Sequence, residues 1–528
     1  MLEASDAPAL SPALRPRARS GTSLVSLAIA AFAWLAFSIG ARPLSLPDEG
    51  RYVGVAWEML RSGDWIVPTE NGLPFFHKPP LFYWLTAGAM RVFGPSLWTA
   101  RFASLLGASL GAAALYLLTR RWIGERHART VLAVLLLQPF FFGAAQFANL
   151  DMLVAGCIAA SVAAAAHAVL LMREQRNAQA AIVGAWLAAA LGVLAKGLIG
   201  VALPMLVVFT WLLATRQWRL MGRLCSPLGL AVFALVAVPW FLAMQARFPE
   251  FGHYFFVVQH LQRFAAGGFN NVQPWWYFVV AVPLVTLPWS AWLVRPRFGA
   301  RAGEPEAATL LRWLMWVWLV VVAVFFSIPQ SKPIGYIMPL LFPVAALAAD
   351  AIAHHLRERS PRAARVAMGS AALAGVLCLA LVFGIAANYH HDNTALARIL
   401  KDLRGADDPV AFVGEYFFDV PYHARLNGPV RVVGDWRDPA IVRHDSWRHE
   451  LADAAAFAPE LAATLLVDAE HGLAVRCGAP PLWVLAKEDA SQPIAARAEA
   501  MRIATSNEVT LWRLGPRDCR GAGGIALR

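Results

Sequence analysis

A few acids, cations and polar aromatic side chains in this sequence lie beside long apolar segments. Asp48 and Glu49 are adjacent in LPDEGRY, and Asp151 lies in FANLDML. The other candidates are Arg51, Tyr52, Lys78, Lys196, His260, Arg263, Lys332 and Tyr336. Ionisable groups at such positions are costly unless they are paired or solvated, so they mark candidate sites. Together they suit displacement of a phosphate, because cations stabilise the leaving anion and a carboxylate can act as the base.

The composition indicates a membrane protein. The 528-residue chain is 58% hydrophobic and 15% charged, whereas soluble domains carry about 25% charged residues. The apolar runs approach the roughly 20 residues of a membrane span, and they cover residues 22–40, 98–119, 129–147, 150–172, 180–196, 198–215, 227–246, 275–294, 309–328, 334–353 and 365–388. The sequence therefore predicts a polytopic α-helical membrane protein with about 11–13 transmembrane helices, the first run being a retained signal anchor.

Basic loops predict the orientation of the chain. Arg15, Arg17 and Arg19 precede the first run, and alternate loops read TRRWIGERHAR, LMREQRN, TRQWRLMGR, VRPRFGAR and HHLRERSPRAAR. Cytoplasmic loops are enriched in Lys and Arg. We therefore expect a cytoplasmic N-terminus, with residues 41–97, residues 247–274 and the C-terminal part outside the cytoplasm. The net charge of +12 follows this pattern and gives no reason to expect a nucleic-acid partner.

The chain divides into two predicted domains. Residues 1–388 hold the apolar runs, and the first outer loop, residues 41–97, contains two predicted interfacial helices, EGRYVGVAWEMLRSG and KPPLFYWLTAGAM. After residue 388 the charge rises and strand-like segments appear: VAFVGEYFF, VRVVGDW, ATLLVDA, LWVLAK and VTLWRLG. Helical or turn segments separate them, so residues 389–528 are predicted to form an extracytoplasmic α/β domain.

Neither a metal nor a cofactor is expected. The five cysteines are scattered, and the sequence contains no CxxC motif, no Cys/His cluster and no nucleotide-binding glycine loop. Cys477 and Cys519 lie in the C-terminal domain and could form a disulfide if that domain is extracytoplasmic.

Each candidate residue also has a structural alternative. Asp48 and Asp151 stand where helices begin, so either carboxylate could be an N-cap. Lys196 could extend to the lipid headgroups, and Tyr336 could belong to an interfacial aromatic belt. The same holds for the remaining cations, which could bind lipid phosphate or stabilise the fold: Lys78, Lys332, His260 and Arg263. A convergence of all of them at one face is what would favour a functional site.

The motifs LPDEGRY, SGDWIVP, FFHKPPLFYW, NLDM, AKGLIG and SKPIGYIMP resemble the lipid A aminoarabinose transferase family. That family is grouped with the protein O-mannosyltransferases among the GT-C membrane glycosyltransferases, and the resemblance covers roughly residues 40–345. It implies metal-independent, inverting transfer from an undecaprenyl-phosphate sugar at the periplasmic face of the bacterial inner membrane.

The resemblance also implies roles for individual residues. Asp48 would be the catalytic carboxylate and Asp151 a second acid, while Tyr336 would form part of the wall. The donor phosphate and cavity would be lined by Arg51, Tyr52, Lys78, Lys196 and Arg263. The chain departs from the family at His77, where the family often has Glu, and at Gln259, where it often has an acid.

The leading hypothesis is therefore a membrane glycosyltransferase that uses a polyprenyl-phosphate sugar. Its acceptor would be lipid A or another envelope glycan, and the enzyme would act as a monomer. A protein acceptor is the alternative within this class. A lipid-linked glycan transporter or flippase, or a non-catalytic envelope assembly factor, is the alternative from another class, although transporters usually bind their substrates near the bilayer midplane.

Overall fold

The computed structural model describes residues 23–262, 271–294, 298–299, 301, 303–357, 361–389, 391–443, 446–475 and 478–515. The part up to Asn388 is almost entirely helical, and the part after it folds around a six-stranded sheet. We call residues 389–515 the C-terminal region. The helices of the first part are α1 (Leu24–Ala36), α2 (Asp48–Ser62), α3 (Leu81–Phe93), α4 (Leu97–Ala100), α5 (Phe102–Trp122), α6 (Glu125–Leu136), α7 (Pro139–Ala145), α8 (Leu150–Arg173), α9 (Gln179–Lys196), α10 (Ile199–Ala214), α11 (Met221–Leu224), α12 (Pro227–Arg247), α13 (Tyr277–Val285), α14 (Glu306–Ser327), α15 (Leu341–Arg357) and α16 (Pro361–Asn388).

Several of these helices are long and apolar enough to cross a membrane. Within the described residues there are seven, and the pair α6 and α7, bent by 72°, would make eight as one span. The seven are α5, α8, α9, α12, α14, α16 and the continuous segment Ile334–Arg357, in which a 3-10 turn (Ile334–Leu340) leads into α15. The predicted polytopic helical fold is confirmed.

The remaining predicted runs form shorter or interrupted helices. α1 has 13 residues and α10 has 16. Pro139 opens α7 and separates it from α6, while α13 ends before Pro288 and is followed by a 3-10 turn (Trp289–Leu293). Proline lacks the N–H that would continue a helix, so it breaks an apolar run that hydropathy alone reads as continuous. Length therefore identifies fewer spans than the sequence predicts.

The first loop contains both predicted helices, α2 and α3, and a short hairpin that the sequence analysis missed. Strands β1 (Thr69–Glu70) and β2 (Leu73–Pro74) pair antiparallel around Asn71 and Gly72. The buried Glu58 of α2 fixes this turn, since its carboxylate accepts from the backbone N–H groups of Asn71 at 2.7 Å and Gly72 at 2.9 Å.

The C-terminal region is α/β, as predicted. Its helices are α17 (Thr394–Leu403), α18 (Val420–His423), α19 (Trp447–Ala456), α20 (Pro459–Leu465), α21 (Ala469–Gly472) and α22 (Glu488–Ala495). Its strands are β3 (Val410–Val413), β4 (Arg431–Val433), β5 (Leu466–Val467), β6 (Leu482–Lys487), β7 (Ala500–Ser506) and β8 (Val509–Leu514), in the spatial order β5-β4-β3-β6-β8-β7. The five predicted strands are present, and β7 was missed because its inward and outward residues do not alternate cleanly.

The C-terminal region packs directly on the first loop. Asn71 donates its side-chain amide to the Val430 carbonyl at 2.9 Å and accepts from the Val430 N–H at 2.8 Å. At Gly50 the backbones approach so closely that a Cβ would lie 2.8 Å from the Phe418 Cβ. Contacts this tight fix the two parts relative to each other, because packed interfaces do not deform continuously.

Candidate active site

A cavity of about 1200 Å³ lies where α2, the ends of α8 and α9, the segment from Pro333 to Met338 and the C-terminal region meet. We call it the charged cavity. Seven of the eleven predicted site residues line it: Asp48, Arg51, Tyr52, Lys78, Asp151, Lys196 and Tyr336. The structure thus brings together side chains that are separated by almost 290 residues of sequence.

The α8–α9 hairpin explains why Asp151 and Lys196 meet. Asp151 lies in the first turn of α8 and Lys196 is the last residue of α9, so two antiparallel helices place both at the same end. Their side chains form an ion pair, and the Lys196 ammonium lies 4.6 Å from the centroid of the Tyr336 ring. Gly335 makes room for the carboxylate, because a Cβ there would lie 2.4 Å from Asp151 Oδ2.

Neither carboxylate is a helix cap. The N-cap of α2 is Pro47 and has no side-chain cap hydrogen bond, while Asp48 is the first helical residue. Asn149 caps α8 by accepting from the Asp151 N–H at 2.7 Å. The N-cap alternative is therefore wrong for both acids, and their carboxylates face the charged cavity instead.

Asp48 has a loosely held carboxylate. Its side chain is 50% exposed, and its ion pair with Arg51 joins Oδ1 to Nη1 at 3.8 Å, beyond hydrogen-bond length. Partial burial raises the pKa of Asp48, opposed by Arg51 and Lys196 and reinforced by Asp151. A carboxylate with free lone pairs and a raised pKa is a better general base than an ordinary surface aspartate.

Arg51 lies between Asp48 and the C-terminal region. Its Nε is 3.0 Å from Glu450 Oε2, and its guanidinium carbon is 5.2 Å from the centroid of the Phe418 ring. Burial lowers the pKa of Arg51, but Glu450 together with Tyr52, Glu70 and Asp48 raises it further than burial lowers it, so the guanidinium stays charged. Both side chains are largely buried, 14% exposed for Arg51 and 13% for Glu450.

Tyr52 and Lys78 complete the wall on the first-loop side. The Tyr52 ring packs edge-on against Phe82 with centroids 6.0 Å apart. Burial, reinforced by the Asp48 charge, raises the pKa of Tyr52, so the phenol remains a hydrogen-bond donor at neutral pH. Lys78 follows His77, whose Nε2 lies 2.8 Å from the Tyr254 hydroxyl.

Glu49, although adjacent to Asp48, does not line the charged cavity. It is fully buried between Arg101 and Arg42, and it accepts from Arg101 Nε at 2.8 Å and from the N–H groups of Ala148 at 2.6 Å and Ser45 at 2.8 Å. Burial would raise its pKa, but the two guanidinium groups lower the pKa of Glu49 to about 2. We call these residues, Glu49 with Arg42 and Arg101, the carboxylate anchor.

Lys332 also lies outside the lining of the charged cavity. Its ammonium donates to the carbonyls of Pro329, Gln273 at 3.0 Å and Gln330, and so ties two loop segments together. Of the other predicted site residues, His260 falls in a π-helical segment (His253–Gln262) whose final side chains are not described, and Arg263 lies outside the described residues. Their roles stay predictions.

Several residues of the site were not predicted from the sequence. Arg101 is fully buried in the carboxylate anchor, and its position inside the apolar run 98–119 was a signal that could have identified it. The C-terminal region also contributes charged lining residues, which carry no such signal because charged residues are common throughout that region: Glu415, Glu450, Lys487 and Glu508.

The described residues contain no group of three or more His, Cys, Asp or Glu side chains arranged to hold a metal ion. Cys477 and Cys519, the predicted disulfide partners, both lie outside the described part of the chain. A second cavity of about 660 Å³ lies between α10, α13, α14 and α15, and its lining has no ionisable side chain. Of these two cavities, only the charged cavity has lining side chains that could perform acid–base chemistry.

Comparison with known proteins agrees with this geometry. A family model described as "Dolichyl-phosphate-mannose-protein mannosyltransferase" matches residues 77–242. The chain is 32% identical over 357 residues to the undecaprenyl phosphate-alpha-4-amino-4-deoxy-L-arabinose arabinosyl transferase of Aeromonas salmonicida, an alignment that covers 66% of this chain and 63% of that protein. It is 33% identical over 378 residues to the enzyme of the same name from Pseudomonas savastanoi pv. phaseolicola, covering 70% of this chain and 68% of that protein.

A solved structure extends the likeness over almost the whole chain. ArnT from Cupriavidus metallidurans, crystallised with undecaprenyl phosphate, superposes with a TM-score of 0.78 at 26% identity. The superposition covers 93% of this chain and 98% of that protein, including the C-terminal region. With its helical membrane fold, its charged cavity and these relatives, the chain belongs to the undecaprenyl phosphate-aminoarabinose transferase family of GT-C membrane glycosyltransferases.

Proposed function

We propose that this chain transfers an aminoarabinose residue from an undecaprenyl-phosphate donor to lipid A, with Asp48 as the catalytic carboxylate. The single observation that carries the proposal is the loosely paired Asp48 carboxylate, which opens into a 1200 Å³ cavity beside several cations. Two of the relatives described above are named undecaprenyl phosphate-alpha-4-amino-4-deoxy-L-arabinose arabinosyl transferases, and these names specify the same donor and sugar.

The cations of the charged cavity suit a phosphate. Arg51, Lys78 and Lys196 line the same wall as Asp48, and Arg42 reaches the cavity from the carboxylate anchor. Lys and Arg stabilise phosphate oxygens by charge-assisted hydrogen bonds. The crystal structure of the Cupriavidus relative contains undecaprenyl phosphate, which supports a polyprenyl-phosphate ligand for this chain as well.

The reaction forms one bond and breaks another at the anomeric carbon of the sugar. An acceptor oxygen attacks this carbon from the side opposite the phosphate, and the bond to the phosphate oxygen breaks, which inverts the configuration. Undecaprenyl phosphate leaves as an anion that Lys78 and Arg51 stabilise. Asp48 orients the acceptor oxygen and takes its proton when it carries one.

We further propose that the charged cavity opens on the periplasmic face of the bacterial inner membrane. The loops predicted to lie on the same side of the membrane as the N-terminus are basic, which supports a cytoplasmic N-terminus. The C-terminal region lies on the same side as Asp48, because both line the charged cavity. The donor tail then stays in the bilayer while the sugar lies at its surface. The chain acts as a monomer, with residues 1–388 and 389–528 as its membrane and periplasmic domains.

A protein is the alternative class of acceptor for the sugar. Transport of a lipid-linked glycan across the membrane is the alternative activity. The family model that matches residues 77–242 bears the name of a protein mannosyltransferase. Asp151 and Lys196 of the charged cavity lie at the ends of α8 and α9 and not at the middle of these helices, which favours transfer at a membrane surface over transport.

The test is Asp48→Asn in the full-length protein, purified in detergent and supplied with undecaprenyl-phosphate-aminoarabinose and lipid A. We expect the rate of transfer to fall by about 10²–10⁴-fold, because removal of a positioned base costs that much. Asp402→Asn, at an exposed position of α17, is the matched control and should transfer normally. Full activity of the Asp48 variant would overturn the catalytic assignment, and an inactive wild type would overturn the substrate assignment.

A further inference from the structure

Arg51 connects the catalytic carboxylate of the membrane region to the C-terminal region. Its guanidinium pairs with two carboxylates: Nη1 lies 3.8 Å from Asp48 Oδ1, and Nε lies 3.0 Å from Oε2 of Glu450 in α19. The ring of Phe418 covers its carbon at 5.2 Å. The C-terminal region thus contributes both an anion and an aromatic face to a residue in the wall of the charged cavity.

The helix that carries Glu450 is firmly docked. Phe457, which follows α19 directly, packs edge-on against Phe76 of the first loop with ring centroids 4.5 Å apart. Asp453, one turn after Glu450, accepts from the Tyr254 hydroxyl at 2.9 Å. These contacts, both C-terminal to Glu450, dock α19 on the first loop and on the segment of Tyr254, and so hold Glu450 near Arg51.

We propose that Glu450 is a positioning residue for glycosyl transfer, which holds the Arg51 guanidinium beside Asp48 and so makes the C-terminal region part of the active site. The inference rests on the proposed function and adds a residue from outside the membrane region. Arginine has five donors on a long flexible stem, so a buried anion paired with one side of the guanidinium restricts where the remaining donors can lie. A displacement of about 1 Å at such a residue can cost 10²-fold in rate.

Two electrostatic roles of Glu450 predict opposite results. The groups that act on Asp48 are Arg51, Asp151, Lys196 and Glu49, and those that act on Arg51 are Glu450, Tyr52, Glu70 and Asp48. If Glu450 positions Arg51, its removal takes a positive charge away from Asp48, and the acid limb of the pH–rate profile moves to higher pH. If Glu450 acts only as a nearby negative charge, its removal moves that limb to lower pH.

The experiment compares Glu450→Gln, Glu450→Asp and the exposed control Glu460→Gln in the full-length enzyme, with the same donor and lipid A as above. We expect Glu450→Gln to lower kcat about 10- to 100-fold, to change KM less than about threefold, and to move the acid limb to higher pH. Glu450→Asp keeps the charge on a shorter stem, so it should recover part of kcat and return the acid limb toward that of the wild type.

A double-mutant cycle with Arg51→Gln completes the test. In that background Glu450→Gln should change kcat by less than about twofold, because the residue through which it acts is gone. An acid limb that stays in place or moves to lower pH, or an undiminished loss of kcat in the Arg51→Gln background, would overturn the inference. Since the wild type is assayed beside the variants, an inactive wild type contradicts the proposed function, whereas an active wild type with an unaffected Glu450→Gln contradicts this inference alone.

Discussion

The two sides of the first turn of α2 carry neighbouring carboxylates with opposite environments. Glu49 is fully buried in the carboxylate anchor, where two arginines and two backbone N–H groups donate to it. Asp48 is half-exposed and has one ion pair of 3.8 Å. A carboxylate whose lone pairs are all occupied holds structure together, and the one left under-coordinated in a cavity is available for chemistry.

Glu49→Gln should have the largest effect on stability and should distinguish the structural role of Glu49 from the catalytic role of Asp48. It removes the charge between two buried guanidinium groups, and breaking a buried ion pair from one side costs about 3–5 kcal/mol. Asp48→Asn removes a half-exposed charge and should change the free energy of unfolding by less than about 1 kcal/mol. Thermal unfolding of both variants in detergent measures the difference, and equal losses would refute the distinction.

The pH dependence of the free energy of unfolding also tests the structural role of Glu49. The pKa of Glu49 is about 2 in the folded state, and its ordinary value is 4.5. The contribution of the ionised Glu49 carboxylate to the free energy of unfolding is therefore present above pH 4.5 and is lost as the pH falls towards 2. That contribution amounts to about 3 kcal/mol. Glu49→Gln should therefore lack this part of the acid sensitivity that the wild type shows.

Gly335→Ala should lower the transfer rate through the charged cavity and leave the ion pairs of the carboxylate anchor unchanged. The new Cβ would lie 2.4 Å from Asp151 Oδ2, so the carboxylate that pairs with Lys196 must shift. Overpacking of this kind costs about 1–3 kcal/mol, which corresponds to roughly a 5- to 150-fold loss of transfer rate if it acts on the transition state. A kinetic assay of the purified variant measures this loss of transfer rate.

Gly369→Ala is the matched control, because no atom lies within 4 Å of a Cβ at that position of α16. Alanine is the better helix former, so this variant should keep its activity and gain a fraction of a kcal/mol in stability. Normal transfer by Gly335→Ala would show that the Asp151–Lys196 pair has no part in the reaction.

The smallest expected effect is the dependence of the wild-type transfer rate on pH, which reports the protonation of Asp48. A base must be ionised to act, so kcat/KM should fall about tenfold per pH unit below the pKa of Asp48. Because burial raises that pKa above 3.8, the fall should begin at a higher pH than for an ordinary aspartate. Rates measured between about pH 4 and 8 test this, and a flat profile over that interval would contradict a basic role for Asp48.

Much of the site could be predicted from the sequence because membrane burial makes charges conspicuous. Asp151 and Lys196 lie at the ends of apolar runs, Asp48 lies in the loop after the first run, and a hairpin of two spanning helices must return its ends to one face. The same logic could have identified Arg101. It failed for Lys332, whose ammonium is satisfied by backbone carbonyls that no sequence pattern foretells.

The amino-acid sequence by itself determined the helical membrane architecture, the α/β character of the C-terminal region and the face at which the charges gather. These follow from local composition and periodicity. Only the tertiary structure decided which of two adjacent carboxylates opens into the cavity, and that Glu450 reaches Arg51 from 399 residues away. Such choices depend on helix rotation and on docking between distant segments, which arise from the packing of the whole chain and leave no local signature.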